Sequence, residues 1–245
     1  MEKNLEKIIK ESGNNLHIKV VELLESLEWD VELSSYYYDD TTGKPREIDI
    51  VAKKRVDIDF SGKNFFIFLF IECKYFKNEI AFRLHRNDRD KSKRAIILNS
   101  IYQNGIFTRT NSAHHYLTRD KISKLYDSYG NKDNGKDDVF SAFTQAAKSL
   151  LFFRCAQNIK GVYYPLVVYD GINGIYDIED IKDLNNKQLN KHSIFGFDYW
   201  YRWREENAFA SQYFCIDFLH FDVLKDFIEK TLETEKMNII ISESR

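Results

Sequence analysis

The chain has 245 residues, of which 43% are hydrophobic and 30% are charged, the balance of a folded globular protein rather than a disordered one. Its formal net charge of -2 excludes a protein that holds nucleic acid through bulk positive charge, so any site for a polyanion must be local. With only 2 Pro and no internal repeat, we expect a single domain over residues 1–245.

Composition also limits the expected compartment. The N-terminus is charged throughout and lacks the apolar core of a signal peptide, and the longest apolar run, 65–71, is too short to span a bilayer. The 3 Cys are widely spaced without a C-x-x-C pair, which indicates buried reduced thiols rather than zinc ligands. We therefore expect a cytoplasmic protein that is not associated with a membrane.

The first half of the chain predicts a helix followed by three strands. Residues 15–28 carry apolar side chains at helical spacing. Strands are predicted over 29–38 and 46–53, and the turn-rich segment 39–45 joins them into a hairpin. The strongest strand is 65–76, whose alternating faces are both apolar, as expected for a central strand covered on both sides.

The second half has fewer clear elements. Residues 77–136 are polar, basic and aromatic, and they predict an insertion with helical pieces, whereas 171–207 predicts irregular structure. The remaining predicted elements are a helix over 139–157, a strand over 162–169, a strand over 213–218, a helix over 221–232 and a strand over 237–241. This order predicts an α/β protein whose mixed central sheet is flanked by helices, with an α-β-β-β-α-β core.

Charged side chains fall on two neighbouring predicted strands. Asp49 lies among aliphatic residues within its strand, and Glu72 and Lys74 stand at the end of the apolar central strand. Because side chains alternate along a strand, Glu72 and Lys74 share one face and Cys73 points to the other. Charges beside a core are costly unless they are paired, solvated or bound to a cation.

These residues predict a metal site. Asp49 and Glu72 can form a carboxylate pair that binds Mg²⁺, with Mn²⁺ as a substitute and the backbone carbonyl of Cys73 as a further ligand. Such an ion would polarise a phosphodiester, while Lys74 would orient the attacking water or stabilise the charge of the transition state. The alternative is a buried cluster of ion pairs among the same side chains, without a metal.

The helix, the hairpin aspartate and the sequence Glu72-Cys73-Lys74, in this order, resemble the PD-(D/E)xK nuclease superfamily, whose fold is called restriction-endonuclease-like. The resembling elements span most of the chain, although the motif itself is short. The resemblance implies that Asp49 and Glu72 bind the metal and that Lys74 is the catalytic lysine.

Two further parts of the resemblance involve helices. Many members carry a glutamate on the first helix that completes the metal site, and here His17 takes that place, with Glu22 as the nearest carboxylate. His17 is either a ligand or orienting group, or an exposed or capping histidine. Gln145 and Lys148 share one face of the later helix, where the resemblance implies contact with the scissile phosphate; the alternative for both is a solvated polar face.

A basic segment follows the predicted catalytic strand. Residues 74–94 hold eight basic side chains against three acidic ones, and interspersed aromatic residues would suit stacking on unpaired bases. The side chains expected to bind nucleic acid are Lys77, Arg83, Arg86, Arg89, Lys91, Lys93, Arg94 and Lys148. The alternative is an ordinary charged surface with aromatic residues packed beneath it.

Two other motifs have weaker interpretations. The adjacent His114 and His115 are expected on a surface loop, because neighbouring histidines seldom chelate one metal together. The aromatic cluster 199–204 is either a base-stacking or partner surface, or the edge of the core.

The function that these patterns predict is a Mg²⁺-dependent endonuclease that hydrolyses DNA phosphodiester bonds, with Gln145 assisting the acids and Lys74. By resemblance alone the setting would be restriction, defence or repair, and a homodimer would place two active sites to cut both strands. One alternative is a catalytically weak or inactive nucleic-acid-binding protein of the same fold, supported mainly by the replacement at His17. Another is a nuclease that acts on RNA.

Overall fold

The structure is a computed structural model that describes residues 13–57, 65–101, 114–128, 132–133, 136–179, 187–203 and 208–243. The strands are β1 (Asp30–Asp39), β2 (Lys44–Val56), β3 (Phe65–Tyr75), β4 (Ile80–Arg86), β5 (Ser100–Ile101), β6 (Lys121–Ser128), β7 (Lys132–Asp133), β8 (Lys136–Asp137), β9 (Gly161–Asp170), β10 (Ile175–Ile178), β11 (Gln188–Asn190), β12 (His192–Trp203) and β13 (Ala208–His220). The helices are α1 (Gly13–Ser26), α2 (Arg89–Leu98), α3 (His115–Thr118), α4 (Asp138–Gln157), α5 (Phe221–Asp226) and α6 (Glu233–Glu243), with a π-helical segment (Phe227–Leu232) between the last two.

One mixed sheet dominates the fold. Its strands follow the order β1-β2-β3-β9-β13-β12-β6-β4-β10-β11, and β5 pairs with β9 beside this row. β1, β2 and β3 are antiparallel neighbours, whereas β3, β9 and β13 run parallel to one another. The predicted α/β class with a large mixed sheet flanked by helices is therefore confirmed, as is the order of its first four elements.

β3 is buried on both faces, as predicted for a central strand. Leu69 and Ile71 pack with Val20 of α1 on one side of the sheet, where the C-terminal helices also lie. Phe70 packs with Phe143 of α4 on the other side. A strand with both faces in the core has no room for charged side chains except near its ends, which is where Glu72 and Lys74 occur in the sequence.

The regular alternation of side chains along β2 is interrupted at Asp49. Ile48 and Ile50 are two positions apart and would share a face of a regular strand, yet Ile48 packs on the α4 side and Ile50 on the α1 side. Ser34 lies opposite on β1, between the two pairs that join β1 to these isoleucines, and its φ of 55° is left-handed. The local reversal lets Asp49 reach the α1 side of the sheet.

Several predicted elements are wrong in the structure. Residues 77–136 are not only a helical insertion, because β4 and β6 belong to the main sheet and α2 lies between them in the chain. Residues 171–207 contain the long strand β12, which pairs with β13 along its whole length. Residues 237–241 are part of α6 rather than a strand, since Ile239 is buried against the α1 side of the core and tertiary packing overrides the β-propensity of the isoleucine run.

Two other expectations concern the cysteines and membranes. Cys73 and Cys215 are buried as predicted, but Cys155 is exposed near the end of α4. Among the described helices, none has the length and apolar character needed to cross a bilayer.

Candidate metal centre

The candidate site lies where β2 and β3 separate. Their ladder ends at the pair Ile50–Ile71, so Asp49 and Glu72 occupy the next positions on the two strands. Glu72 stands near the carboxyl end of β3, which runs parallel to its other neighbour, β9. In open α/β sheets this end of the parallel strands is the common place for a ligand site.

Asp49 lies between the backbone of β3 and helix α1. The Cys73 backbone N–H donates to Asp49 Oδ2 over 2.7 Å, and His17 Nε2 lies 3.2 Å from the same oxygen. Ligand atoms of the His17, Asp49 and Cys73 side chains all lie within 4.8 Å of one another. His17 is therefore neither a free surface histidine nor a helix cap, because its ring is directed at the aspartate.

Glu72 has a different environment on the other face of β3. Its side chain is 1% exposed, and Lys74 Nζ donates to Glu72 Oε1 over 2.7 Å. The second oxygen, Oε2, is buried without a hydrogen-bond partner among the described residues. Burial raises the pKa of Glu72 to about 8; the charge of Lys74 opposes this rise and the charge of Asp49 adds to it. A buried carboxylate oxygen without a partner is completed by a proton or by a cation.

The pKa values of both basic groups of the site are raised. Burial acts to lower the pKa of Lys74, but the charge of Glu72 and its hydrogen bond outweigh burial and raise the pKa. The hydrogen bond to Asp49 raises the pKa of His17. The predicted alternation is confirmed, since Cys73 packs on the α1 side while Glu72 and Lys74 pair with each other on the opposite face.

The structure does not bring every predicted residue to the two acids. Glu22 is exposed on α1. On α4, Gln145 Oε1 accepts a hydrogen bond from Ser141 Oγ over 2.8 Å, and Lys148 Nζ donates to the buried Asp39 over 2.8 Å. The pairing of Lys148 supports a structural role for it, and the catalytic role of Gln145 stays a prediction.

The predicted nucleic-acid-binding residues divide into two groups. Three of those in the basic segment form ion pairs, which are Arg83–Asp127 (2.6 Å), Arg89–Asp120 (2.9 Å) and Lys91–Asp198 (2.8 Å). Lys77, Arg86, Lys93 and Arg94 are exposed and form no ion pair within the described ranges. The pairs reduce the local positive charge, because each neutralises a side chain that was expected to contact phosphate.

Tyr37 is a neighbour of the site that the sequence pattern did not indicate. Its side chain is buried on the α4 side of β1, and its hydroxyl has no hydrogen-bond partner in the described part of the chain. Burial raises the pKa of Tyr37, and the charges of Asp39 and Glu72 raise it further. Only the pairing of β1 with β2 could have indicated that the Tyr37 hydroxyl is buried near Glu72. In the sequence, the three tyrosines at 36–38 are typical of any strand.

The expected surface loop at His114 and His115 is wrong, because both side chains are buried. His115 Nε2 lies 3.0 Å from Asp217 Oδ2, and its Nδ1 forms a hydrogen bond with Glu235. Three more side chains donate to these carboxylates, namely the Tyr116 hydroxyl and His192 Nε2 to Asp217 and the Tyr164 hydroxyl to Glu235, and the His115 backbone N–H also donates to Glu235. The acids lie 102 and 120 positions away in the chain, so local sequence does not reveal the burial.

This buried cluster is better explained as a hydrogen-bonded network than as a metal site. Ligand atoms of His114, His115 and Glu235 lie within 4.8 Å of one another. However, His114 Nδ1 already accepts the backbone N–H of Tyr116 over 3.2 Å, and both ring nitrogens of His115 face carboxylates. A neutral imidazole carries one N–H, so this geometry requires the doubly protonated ring of His115.

The aromatic cluster 199–204 lies partly in the core. Tyr199 is buried and its hydroxyl lies 3.0 Å from Thr41 Oγ1, whereas Trp200 is exposed on the opposite face of β12. Because side chains alternate along β12, Tyr199 belongs to the edge of the core and Trp200 to the surface. Arg204 lies outside the described residues.

Substitution of Glu72 by glutamine should stabilise the ion-free protein, and more so at higher pH. The pKa of the Glu72 carboxyl rises from 4.5 to about 8 on folding. Its contribution to the free energy of unfolding is therefore most favourable below pH 4.5 and is lost as the pH rises toward 8. We expect Glu72→Gln to gain up to about 3 kcal/mol over the wild type between pH 5 and pH 8.5, measured by urea unfolding in EDTA. The exposed Glu25→Gln is the control, and an equal effect of Glu72→Gln at both pH values would contradict the raised pKa of Glu72.

Comparison of the chain with models of known protein families, with curated proteins and with solved structures finds no match. The two acids and the lysine are thus interpreted from their own geometry. That geometry is a half-buried aspartate and a buried glutamate just beyond the end of the β2–β3 ladder, with His17 beside the first and Lys74 beside the second.

Proposed function

We propose that the protein is a Mg²⁺-dependent endonuclease with a restriction-endonuclease-like fold that hydrolyses phosphodiester bonds of DNA. The observation that carries this proposal is the buried, unpartnered Oε2 of Glu72 on the strand position next to Asp49. A cation that reached both carboxylates would satisfy that oxygen. Asp49 is directed to the α1 side of the sheet and Glu72 to the opposite face, so both side chains would have to turn toward the gap between the two strands to share one ion. Mn²⁺ would be accepted in place of Mg²⁺ because both prefer oxygen ligands.

The residues present fit a hard divalent ion. Asp49 uses only Oδ2 in its described contacts, and Glu72 uses only Oε1, so one oxygen of each carboxylate is available. The N–H and C=O of a strand residue point to the same neighbouring strand, and the N–H of Cys73 points to Asp49. Its carbonyl therefore faces the same gap. A bound ion would supply Lewis-acid stabilisation to a phosphate oxygen.

Lys74 would act directly on the substrate. Its side chain is 26% exposed, so the ammonium group is anchored on Glu72 and still accessible from solvent. From there it can donate a hydrogen bond to a phosphate oxygen or hold a water in position for attack on phosphorus. His17 would position Asp49 through their contact, so that the free aspartate oxygen keeps one orientation.

A second candidate function is nucleic-acid binding without turnover. It is favoured by the pairing already present, because His17 contacts Asp49 and Lys74 contacts Glu72 in a closed set of ion pairs. In this case no divalent ion would bind, and the four acidic and basic groups would only stabilise the strand ends. Cleavage of RNA would use the same site, and only an assay with both substrates distinguishes it from cleavage of DNA.

The test is nicking of supercoiled plasmid by the wild type in Mg²⁺, in Mn²⁺ and in EDTA, compared with Asp49→Asn. We expect nicking in either ion, none in EDTA, and a rate at least about 100-fold lower for Asp49→Asn, because one charged ligand is lost. Asp30→Asn, which removes an exposed acid of β1, should behave as the wild type.

Equal nicking by Asp49→Asn and the wild type would overturn the proposed site. Absence of nicking together with salt-sensitive DNA binding would support the second candidate. Structured and single-stranded RNA are assayed in parallel, and cleavage of RNA alone would reassign the substrate while keeping the site.

A further inference from the structure

Buried polar atoms without a partner are concentrated on one face of the sheet, beside the candidate metal centre. The described residues contain six such side-chain atoms, namely Trp29 Nε1, Ser35 Oγ, the Tyr37 hydroxyl, Glu72 Oε2, Asn99 Nδ2 and the Tyr213 hydroxyl. Ser35, Tyr37 and Glu72 all point to the α4 side of β1 and β3. Because a buried polar group without a partner costs free energy, three of them on one face indicate that a further polar group completes them.

Tyr37 and Glu72 reach the same compartment beneath α4. β1 and β3 both run antiparallel to β2, so the carboxyl ends of β1 and β3 lie at the same end of the sheet. α4 covers both strands, with the Phe152 ring 6.5 Å from that of Tyr37 and the Phe153 ring 5.5 Å from that of Phe70. Burial raises the pKa of Tyr37, and the negative charge of Glu72 contributes to the rise. The hydroxyl and the carboxyl are therefore close enough to influence each other.

Asp39, the other acid near Tyr37, is already satisfied. Its Oδ1 accepts the backbone N–H of Thr41 over 2.9 Å, and its Oδ2 accepts a hydrogen bond from Lys148 Nζ over 2.8 Å. Glu72 Oε2 is therefore the open acceptor for the Tyr37 hydroxyl, and a phenol O–H suits it because it donates the proton that a carboxylate accepts. The two oxygens are not within hydrogen-bonding distance of each other, so a small polar molecule such as water must join them.

We infer that Tyr37 is a positioning residue for Glu72, because its hydroxyl donates to a water molecule that also contacts Glu72 Oε2. The inference rests on the proposed nuclease function, in which this oxygen binds the ion, and it adds a residue that fixes the carboxylate from β1. Lys74 fixes Oε1 and Tyr37 fixes Oε2, so the carboxylate keeps one orientation. A carboxylate oxygen has two acceptor sites, so Oε2 can contact the water and the ion together.

The test is a double-mutant cycle measured by urea unfolding in EDTA. Tyr37→Phe removes only the hydroxyl, and Glu72→Met keeps the length of the side chain without its oxygens. We expect Tyr37→Phe to lower the urea midpoint by about 0.3–0.5 M in the wild-type background and to leave it unchanged in the Glu72→Met background. The control is Tyr213→Phe, which removes another buried hydroxyl without a partner and should have the same effect in both backgrounds.

Binding of Mn²⁺, followed by electron paramagnetic resonance, gives a second readout. Tyr37→Phe should bind Mn²⁺ about 10-fold more weakly than the wild type, because loss of a group that orients a metal ligand lowers the affinity for the metal. Tyr213→Phe should bind Mn²⁺ as the wild type does. A tyrosine with only a structural role would alter the urea midpoint and leave the affinity for Mn²⁺ unchanged.

The outcomes separate the role of Tyr37 from the nuclease. Equal effects of Tyr37→Phe in the two backgrounds would overturn the inference, as would an unchanged affinity for Mn²⁺ where the wild type binds the ion. If the wild type binds Mn²⁺ and nicks plasmid but the cycle is additive, the nuclease stands and the role of Tyr37 is rejected. If the cycle is non-additive but the wild type neither binds Mn²⁺ nor nicks plasmid, the link from Tyr37 to Glu72 stands and the nuclease is rejected.

Discussion

Replacement of Lys74 by alanine should reduce the rate of plasmid nicking in Mg²⁺ by a factor of about 10²–10⁴. Lys74 carries the only cationic group that is hydrogen-bonded to Glu72 among the described residues, and its ammonium is partly open to solvent. Loss of this group removes a donor to the reacting phosphate or water. It also leaves Glu72 with both oxygens unpartnered.

The control for this loss is a second half-buried lysine on the neighbouring strand. Lys54 Nζ donates to the backbone carbonyl of Leu27 over 2.8 Å, away from the acids. Lys54→Ala should retain nicking, whereas Lys74→Arg should retain the charge and recover part of the rate. Nicking by Lys74→Ala at the wild-type rate, with the protein folded, would eliminate Lys74 as a catalytic residue.

Replacement of His115 by alanine should destabilise the protein by about 3–5 kcal/mol, because it leaves two buried carboxylates without their shared cation. Asp217 and Glu235 are fully or almost fully buried, and His115 is placed between them. Urea unfolding at pH 7 measures the loss. His85→Ala, on an exposed position of β4, should change stability by less than about 0.5 kcal/mol.

The same network has a predictable pH dependence. Burial acts to lower the pKa of His115, but the charges of Asp217 and Glu235 outweigh it and raise the pKa to about 10. A histidine with a raised pKa contributes its full stability below about pH 6.5 and loses it as pH rises toward 10. The wild type should therefore lose stability between pH 7 and pH 10, whereas His115→Ala should not. A parallel loss in both proteins would show that His115 is not the group that titrates.

Sequence pattern predicted the centre of the fold and the faces of its central strand. The double-sided apolar run of β3 has one physical explanation, burial on both sides, and the alternation of Glu72, Cys73 and Lys74 then follows from strand geometry. The sequence left the contact between His17 and Asp49 open, because this contact depends on the local reversal opposite Ser34. A single left-handed residue changes the face to which the following side chains point, and the spacing of hydrophobic residues does not reveal such a residue.

The peripheral strands were missed for a different reason. In β4 the buried Ile80 and Phe82 alternate with half-buried residues, and the charged positions around them hide the period of two. The buried network around His115 could not be predicted at all, because its partners come from β13 and α6 at the far end of the chain. Contacts between residues more than 100 positions apart in the chain are determined by the topology of the fold rather than by local sequence pattern.

The central claim is that Asp49 and Glu72 bind one divalent ion together. The most direct measurement is the anomalous difference density of a crystal soaked in Mn²⁺. We expect a single peak at about 2.0–2.3 Å from one oxygen of each carboxylate, with Glu72 Oε2 as one of the two ligands. A map without density between these side chains, or with a peak only at His114, His115 and Glu235, would contradict the account.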